Sequence, residues 1–312
     1  MAIECIWKNR QVGEIILFDA IIGNDKIKKE LINSIKLNKY SHSYLFLGTA
    51  GIGKKLIARE FAKMILCESK EKYCNKCKSC IEFDSNNNPD FQEIWPDGNV
   101  IKIDQIRTMQ KKILEAPIIS NQKVYIIDDA DALTREAQNC LLKTLEEPPE
   151  FVNIILIASN KANLLSTVKS RCTILKFEDI KNEEIQRYLE EKYNLIDVSQ
   201  SIIEASSGSI GKAEQLKDKQ ELYESISNII NNIENNDLIE ILKNADIIYK
   251  SQDSKQEILE YINILLFKKA KENIKFLDCI NIVEDTKKRL KANSNYNMSI
   301  DNMLMTMWEE IH

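Results

Sequence analysis

The fold of this chain is decided by residues 43–55, which read SYLFLGTAGIGKK. The apolar start of this stretch predicts a buried strand, and a helix-forming run from Leu56 to Leu66 follows it. Strand, Gly-x4-Gly-Lys and helix is the order that a phosphate-binding loop (P-loop) requires. Gly48, Gly51 and Gly53 let the backbone curl, so that its N–H groups and the helix N-terminus face one anion. The sequence therefore predicts a P-loop fold.

The residues that supply chemistry depart from the P-loop pattern. Lys54 is placed to reach the outer phosphates, but Lys55 stands where a Ser or Thr usually holds Mg²⁺. Asp128 ends an apolar run and is placed to coordinate Mg²⁺, whereas the shorter Asp129 replaces the Glu that orients the attacking water. A carboxylate set back by about an ångström can cost about a hundredfold in rate. We expect a degenerate site in which ATP or ADP binds weakly or not at all, and no efficient hydrolysis by this chain alone.

Four cysteines form a second cluster, with the spacing Cys67-x6-Cys74-x2-Cys77-x2-Cys80. Four thiolates suit tetrahedral Zn²⁺ with a closed shell, which is a structural rather than a catalytic site. Zinc can supply roughly 10–16 kcal/mol, enough to fold a short insertion that has no core of its own. The tight Cys-x2-Cys-x2-Cys also fits an iron–sulfur cluster, and free thiols are the third reading. We favour zinc.

Apolar runs alternate with helical patterns as far as Phe177. The further predicted strands are Phe91–Trp95, Lys123–Ile127, Ile154–Ala158 and Cys172–Phe177. Runs that are apolar on both faces predict a parallel sheet covered by helices on both sides. After Phe177 helical periodicity continues to the end of the chain. It predicts a small helical unit over Ile180–Lys217, broken at residues 206–208, and about five helices from Gln220 onward.

Composition excludes several classes of function. The net charge of −5 is not that of a broadly basic nucleic-acid-binding protein, so any contact with DNA must be local. The longest apolar runs are far too short to span a membrane, and the residues after Met1 lack a signal-peptide pattern. We therefore expect a cytoplasmic protein. The presence of only 2 histidines gives a Ser/His or Cys/His catalytic centre little support.

Taken together, these segments resemble the clamp-loader branch of the AAA+ ATPases. The most specific residues are Ile101–Arg107 (IKIDQIR), Lys123–Pro149, the Ser170-Arg171-Cys172 motif, the four-cysteine insertion and Arg289–Asn295 (RLKANSN). The resemblance implies an α/β RecA-like AAA+ P-loop domain with a parallel sheet over residues 1–178, with the zinc module at 67–80. It further implies an all-α lid over 179–217 and an all-α collar over 218–312, through which subunits assemble.

The resemblance also implies partners and a role for Arg171. Members of this family form a five-membered ring of motor (gamma/tau), delta and related subunits, which opens the sliding clamp and places it on primed DNA. Arg171 is then expected to act as a trans arginine finger in the ATP site of an adjacent motor subunit, where such fingers are worth roughly 10³–10⁵ in rate. Without the resemblance, a surface arginine in a salt bridge is the simpler reading.

Two roles remain open within this family. The gamma/tau motor shares the zinc module and the Ser-Arg-Cys motif, but it keeps Ser or Thr after the P-loop lysine and Asp-Glu at the end of the acidic strand. Lys55 and Asp129 depart from it, which favours a non-hydrolysing stator subunit of the DNA polymerase III holoenzyme. The alternative is an active motor that uses Lys54 and Asp128. A P-loop kinase is disfavoured because no acceptor-binding feature is visible. The family's sensor positions fall at Ser159, Asn160 and Lys212.

Overall fold

The computed structural model of the chain describes residue 18 and residues 21–70, 72–193, 195 and 198–312. It divides into two compact units, residues 1–181 and 182–312. The second unit contains both segments expected to form a lid and a collar, and their separation into two domains stays a prediction. Cys5 and the other residues of the N-terminal segment 1–17 lie outside the described residues.

The first unit is built on a five-stranded parallel sheet with the order β2-β3-β4-β1-β5. Its strands are β1 (Ser43–Leu47), β2 (Phe91–Ile94), β3 (Lys123–Ile127), β4 (Val152–Ala158) and β5 (Thr173–Lys176). Each lies where the sequence predicts a strand, with ends that differ by one or two residues. The predicted fold class, a parallel α/β sheet followed by helices, is confirmed.

Helices cover both faces of this sheet, because its central strands are apolar on both sides. They are α1 (Asp25–Lys36), α2 (Lys54–Leu66), α3 (Lys78–Asp84), α4 (Ile103–Ile113), α5 (Arg135–Glu146) and α6 (Ser166–Lys169). All seven residues of β4 are buried. On one face Phe61 of α2 meets Tyr44 edge to face, with ring centroids 5.3 Å apart. On the other, α4 and α5 contribute Met109 and Leu141, both fully buried, to the main core cluster.

The register of the strands brings the candidate residues to one edge of the sheet. Leu47 of β1 pairs with Ala158 of β4, and Ile127 of β3 pairs with Leu156 of β4. The carboxyl ends of β1, β3 and β4 are therefore nearly level. The P-loop, the acidic residues and the sensor position follow directly from these ends, which is where ligands bind in open parallel sheets.

The second unit is helical throughout its described residues. Its helices are α7 (Asn182–Tyr193), α8 (Gln200–Ser206), α9 (Ile210–Leu216), α10 (Gln220–Asn231), α11 (Leu238–Asn244), α12 (Asp246–Tyr249), α13 (Lys255–Ala270), α14 (Phe276–Lys291) and α15 (Tyr296–Ile311). The predicted break after α8 is present, where Ser207 and Gly208 adopt φ of 51° and 78°. Six helices follow Gln220 instead of about five, because the four-residue α12 is too short to show a period. Among the described helices, none combines the length and apolar character needed to cross a membrane.

A buried carboxylate fixes the segment that leads into β3. Asp90, only 2% exposed, accepts hydrogen bonds from the backbone N–H groups of Ile118, Ile119 and Ser120 at 2.7–2.8 Å. The Ser120 hydroxyl in turn donates to the carbonyl of Leu66 at the end of α2. One side chain therefore satisfies three backbone donors that have no partner in a helix or strand.

We predict that Asp90→Ala lowers the free energy of unfolding by about 3 kcal/mol, because it leaves buried N–H groups without an acceptor. Urea unfolding followed by circular dichroism measures the change. Asp97→Ala is the matched control, since the Asp97–Lys102 ion pair is exposed and 3.6 Å long, and its loss is expected to cost less than about 0.5 kcal/mol. Equal effects of the two substitutions would contradict the assignment.

Candidate functional site

The P-loop is formed as the sequence predicts. Gly48 leaves β1 with its N–H donating to the carbonyl of Ala158, and α2 begins at Lys54, directly after Gly53. Gly51 and Gly53 have φ of 76° and 91°, a region that side chains with a Cβ rarely adopt. A Cβ at Gly48 would lie 2.9 Å from the carbonyl oxygen of Phe177, so this glycine is required by space.

The ammonium of Lys54 is turned back into this loop. It donates to the carbonyls of Gly48 at 2.6 Å and Thr49 at 2.7 Å, and to the hydroxyl of Ser159 at 3.2 Å. The residue is 5% exposed, and this burial lowers the pKa of Lys54 while the nearby aspartate carboxylates oppose the shift. The structure therefore brings Lys54 and Ser159 together, and all three ammonium donors have partners within the chain.

Lys55 forms an ion pair with the aspartate that the sequence assigns to Mg²⁺. Its ammonium lies 2.9 Å from Asp128 Oδ2 and 3.8 Å from Glu93 Oε2. The Lys55 side chain is 44% exposed and that of Asp128 is 20% exposed. The carboxylate of Asp128 thus carries a cation from its own chain, and the residue that removes the metal-binding hydroxyl is the residue that supplies this cation.

The two acids that follow Asp128 lie in a crowded negative environment. Asp129 has a left-handed backbone, with φ and ψ both 49°. Partial burial, together with the carboxylates of Asp128 and Asp131, raises the pKa of Asp129 above its ordinary value. Asp131 accepts the backbone N–H groups of Ser159 at 3.4 Å and Asn160 at 2.8 Å. It therefore anchors the end of β4, the predicted sensor segment.

Glu93 and Arg59, which the sequence motifs do not single out, extend the Lys55 pair. Arg59 Nη1 lies 2.6 Å from Glu93 Oε1. Its guanidinium also packs over the rings of Phe83 and Phe91, 5.4 and 5.5 Å from their centroids. The available signal was the four-residue spacing of Lys55 and Arg59, which puts two cations on one face of α2. Their shared partner on β2 depends on strand order and was not visible in the sequence.

The four predicted metal ligands converge. The sulfur atoms of Cys67, Cys74, Cys77 and Cys80 lie within 4.8 Å of one another, and Cys67 Sγ is 3.6 Å from Cys74 Sγ and 4.0 Å from Cys77 Sγ. A tetrahedral Zn²⁺ with Zn–S bonds of about 2.3 Å needs S–S separations of about 3.8 Å. Within the described part of the chain this is the only group of three or more potential metal ligands found together. The donor set fits zinc.

Backbone N–H groups support the sulfur atoms. Cys74 Sγ accepts from the N–H groups of Cys77 at 3.2 Å and Lys76 at 3.5 Å, and Cys77 Sγ accepts from Cys80 at 3.5 Å. Desolvation raises the pKa of Cys74, but hydrogen bonds from the N–H groups of Lys76 and Cys77 and from the Cys77 and Cys67 side chains outweigh it and lower the pKa to about 7. A thiolate that is stabilised in this way is prepared to bind a metal ion. Burial instead raises the pKa of Cys67 and of Cys80.

Arg171 lies on a tight turn between α6 and β5. Its Nη2 is 2.6 Å from Glu146 Oε1, and its Nη1 donates to the carbonyl of Thr167 at 2.9 Å. The salt bridge that the sequence allowed as the simpler reading is therefore present, and one third of the side chain (33%) remains exposed. Its role as an arginine finger stays a prediction.

In the second unit, Lys212 pairs with Glu260 at 3.4 Å, and its sensor role is likewise a prediction.

A P-loop after β1, an acid at the end of β3 and a polar residue at the end of β4, all on one edge of a parallel sheet, define an α/β protein of the P-loop class. A family model described as DNA polymerase III, delta subunit, matches residues 23–181. The chain belongs to this family.

Several curated relatives are DNA polymerase III subunits, of both the delta' and the gamma/tau kind. The DNA polymerase III subunit delta' of Bacillus subtilis is 35% identical over 209 residues, which cover 66% of this chain and 62% of that protein. The DNA polymerase III subunit gamma of Buchnera aphidicola subsp. Acyrthosiphon pisum is 38% identical over 58% of this chain and 50% of its own length. The subunit tau of Escherichia coli is 33% identical over 65% of this chain and 32% of its own length. The chain thus spans less than two thirds of each of these curated relatives.

A solved structure is also similar. A DNA polymerase III gamma subunit-related protein from Thermotoga maritima superposes with a TM-score of 0.47 at 18% identity, over 90% of this chain and 99% of that chain.

We predict that the purified protein contains about one zinc ion per chain and that Cys74→Ser abolishes its binding, because the fourth thiolate is lost. Elemental analysis measures the metal, and thermal unfolding measures the accompanying loss of stability. Cys140→Ser is the control, since its thiol lies outside the cluster and donates to Gln110 Oε1, a bond that a hydroxyl can replace. Iron with visible absorption would establish the iron–sulfur alternative, and absence of any bound metal would leave free thiols.

Proposed function

We propose that this chain is a non-hydrolysing, delta'-type stator subunit of the DNA polymerase III clamp loader. In this role it assembles with motor (gamma/tau) and delta subunits in a five-membered ring and helps to load the sliding clamp onto primed DNA in the cytoplasm. It supplies Arg171 to the ATP site of a neighbouring motor subunit. Family membership supports the clamp-loader assignment, and the geometry of the chain's own site supports the stator role.

The observation that carries the stator role is the Lys55–Asp128 ion pair. P-loop ATPases hold Mg²⁺ between a Ser or Thr hydroxyl and an aspartate, and the ion neutralises charge that develops on the phosphates. Here the hydroxyl is absent and the aspartate is 2.9 Å from an ammonium. An ammonium has one charge and only donors, so it cannot coordinate phosphate and water oxygens as Mg²⁺ does. The chain's own site therefore lacks the means to hold the catalytic metal.

The surroundings of this pair oppose its replacement by a metal. Glu93 faces Lys55 and is itself held by Arg59, so the ammonium remains near two carboxylates. Lys54 must also break its hydrogen bonds to the Gly48 and Thr49 carbonyls before it can meet a phosphate. Each of these changes costs free energy, which favours weak nucleotide binding.

The alternative is a gamma/tau-type motor that hydrolyses ATP. The identity shared with gamma and tau subunits supports it, as does the retention of Lys54 and Asp128. Against it stand Lys55, which occupies the carboxylate of Asp128, and Asp129, which is shorter than the expected glutamate. The zinc-type module and the Arg171 motif are compatible with both roles.

The first test is steady-state ATP hydrolysis with clamp and primed DNA, by this chain alone and by the reconstituted complex with motor and delta subunits. We predict that the chain alone is inactive and that Arg171→Ala lowers turnover by the complex at least about tenfold, because a stabilising charge at the phosphates is lost. Lys169→Ala is the control, since it removes a neighbouring cation that donates only to the Lys161 carbonyl. Turnover by the isolated chain that Lys54→Ala abolishes would instead establish the motor role.

A second test addresses the ion pair directly. We predict that Lys55→Thr makes ATP binding dependent on Mg²⁺ and at least about tenfold tighter, because it frees Asp128 and restores the hydroxyl. Equilibrium binding of a fluorescent ATP analogue with Mg²⁺ and with EDTA measures both changes. Lys55→Ala is the control, since it frees Asp128 without supplying the hydroxyl. If Lys55→Thr behaves as the unsubstituted chain does, the ion pair is not what disables the site.

A further inference from the structure

The carboxylate that holds Arg171 occupies a position that its own helix disfavours. Glu146 is the last residue of α5, and the prolines Pro148 and Pro149 follow it. The C-terminus of a helix carries a partial negative charge, so an acidic side chain there is destabilising by itself. The structure compensates with the guanidinium of Arg171, 2.6 Å from Glu146 Oε1. The stability of α5 therefore does not explain a glutamate at this position, whereas the ion pair with Arg171 does.

The backbone of Arg171 is fixed by its packing against the core, while its side chain is oriented by further polar contacts. Val168 is fully buried in the core cluster, and Cys172 packs against the same cluster. The N–H of Arg171 donates to the Val168 carbonyl at 3.2 Å. The Cα of Arg171 is therefore set by the core. Within the described part of the chain, its long side chain is held by the Glu146 ion pair, the Thr167 carbonyl and a 3.4 Å approach to the Ser170 hydroxyl.

These contacts leave part of the guanidinium fork available. The group has five N–H donors in one rigid plane. Among the described residues, Nη1 of Arg171 donates hydrogen bonds to Thr167 and Ser170, Nη2 contacts Glu146 Oε1 as an ion pair, and Nε donates no hydrogen bond. Planar N–H pairs of this kind match two oxygens of a phosphate. One edge of the fork is thus held by the chain, and another edge remains for a ligand.

We propose that Glu146 is a positioning residue for Arg171, holding the guanidinium in the pose in which it meets a nucleotide phosphate of a neighbouring subunit. This inference rests on the proposed function, because it assumes that Arg171 acts in trans. An arginine already held in one pose loses less rotamer entropy when it docks, and its donors arrive in register. The pair is partly exposed, with 48% of the Glu146 side chain accessible, so it orients the fork without withdrawing it from solvent.

The test is Glu146→Gln in the reconstituted clamp loader with motor and delta subunits, clamp, primed DNA and ATP. Gln keeps the size of the side chain and removes the charge that holds Arg171. An exposed ion pair shifts an equilibrium by up to about fivefold, so we expect kcat to fall about two- to fivefold, with the KM for ATP unchanged. Glu147→Gln is the matched control, because it makes the same charge change at the next, exposed residue and leaves Arg171 paired.

A double substitution separates positioning from general structural damage. In an Arg171→Ala background, Glu146→Gln is expected to cause no further loss, because its effect passes through Arg171. An additive loss, equal losses from Glu146→Gln and Glu147→Gln, or a rise in turnover would each overturn the proposal. The last outcome would mean that Glu146 competes with the phosphate.

Assembly of every variant complex is measured by size-exclusion chromatography alongside turnover. If Glu146→Gln does not assemble, Glu146→Asp carries the same comparison, since it keeps the charge and shortens the reach. If Arg171→Ala alone leaves the turnover of an assembled complex intact, the proposed function fails and this inference falls with it. A loss with Arg171→Ala but none with Glu146→Gln overturns the inference alone.

Discussion

The parallel register of β1, β3 and β4 is the constraint on which the candidate site depends. The pairs Leu47–Ala158 and Ile127–Leu156 bring three strands to an end at nearly one level. Because these strands are buried on both faces, a slip of one residue would exchange the faces of every side chain, and packing forbids it. The scaffold therefore brings the residues that follow β1, β3 and β4 to one edge of the sheet, whatever their identity. In this chain they form a P-loop, an acidic cluster and a hydroxyl. Chemistry at this edge can be lost by substitution while the fold is retained.

Lys55 changes the electrostatics of this edge, because its ammonium pairs with Asp128. Asp128, Asp129 and Asp131 lie close enough that the first and third raise the pKa of the second. A cluster of this kind needs positive charge nearby, which an active P-loop obtains from a divalent ion. Here Lys54 and Lys55 supply it from within the chain, and Arg59 balances Glu93 in the same way. Asp128, which the sequence assigns to Mg²⁺, is thus part of the chain's own charge pairing.

Local pattern was sufficient to predict much of this molecule, and the exceptions share one physical cause. The strands, the P-loop, the cysteine cluster and the break after α8 were predicted because each is encoded by neighbouring residues or a short spacing. The four-residue α12 has too few turns to show a period. The pairing of Glu93 with Lys55 and of Glu146 with Arg171 was not predicted. In each pair the two residues come from different elements, so the contact depends on strand order and helix packing. A sequence motif identifies Arg171, but only the fold identifies the carboxylate beside it.

Lys54 and Arg171, two cations of the first unit, differ in how readily they exchange their partners for a phosphate. Lys54 is almost fully buried, and its ammonium donates to three acceptors within the chain, the Gly48 and Thr49 carbonyls and the Ser159 hydroxyl. The Arg171–Glu146 pair is partly exposed, and pairs of this kind are worth about 0.2–1 kcal/mol. In the proposed role, a phosphate from another subunit recruits Arg171 at little cost, whereas a nucleotide that enters the P-loop must replace three hydrogen bonds of Lys54. This asymmetry favours a chain that contributes to catalysis at a neighbour's site while its own remains closed, which is the division of labour that a stator requires.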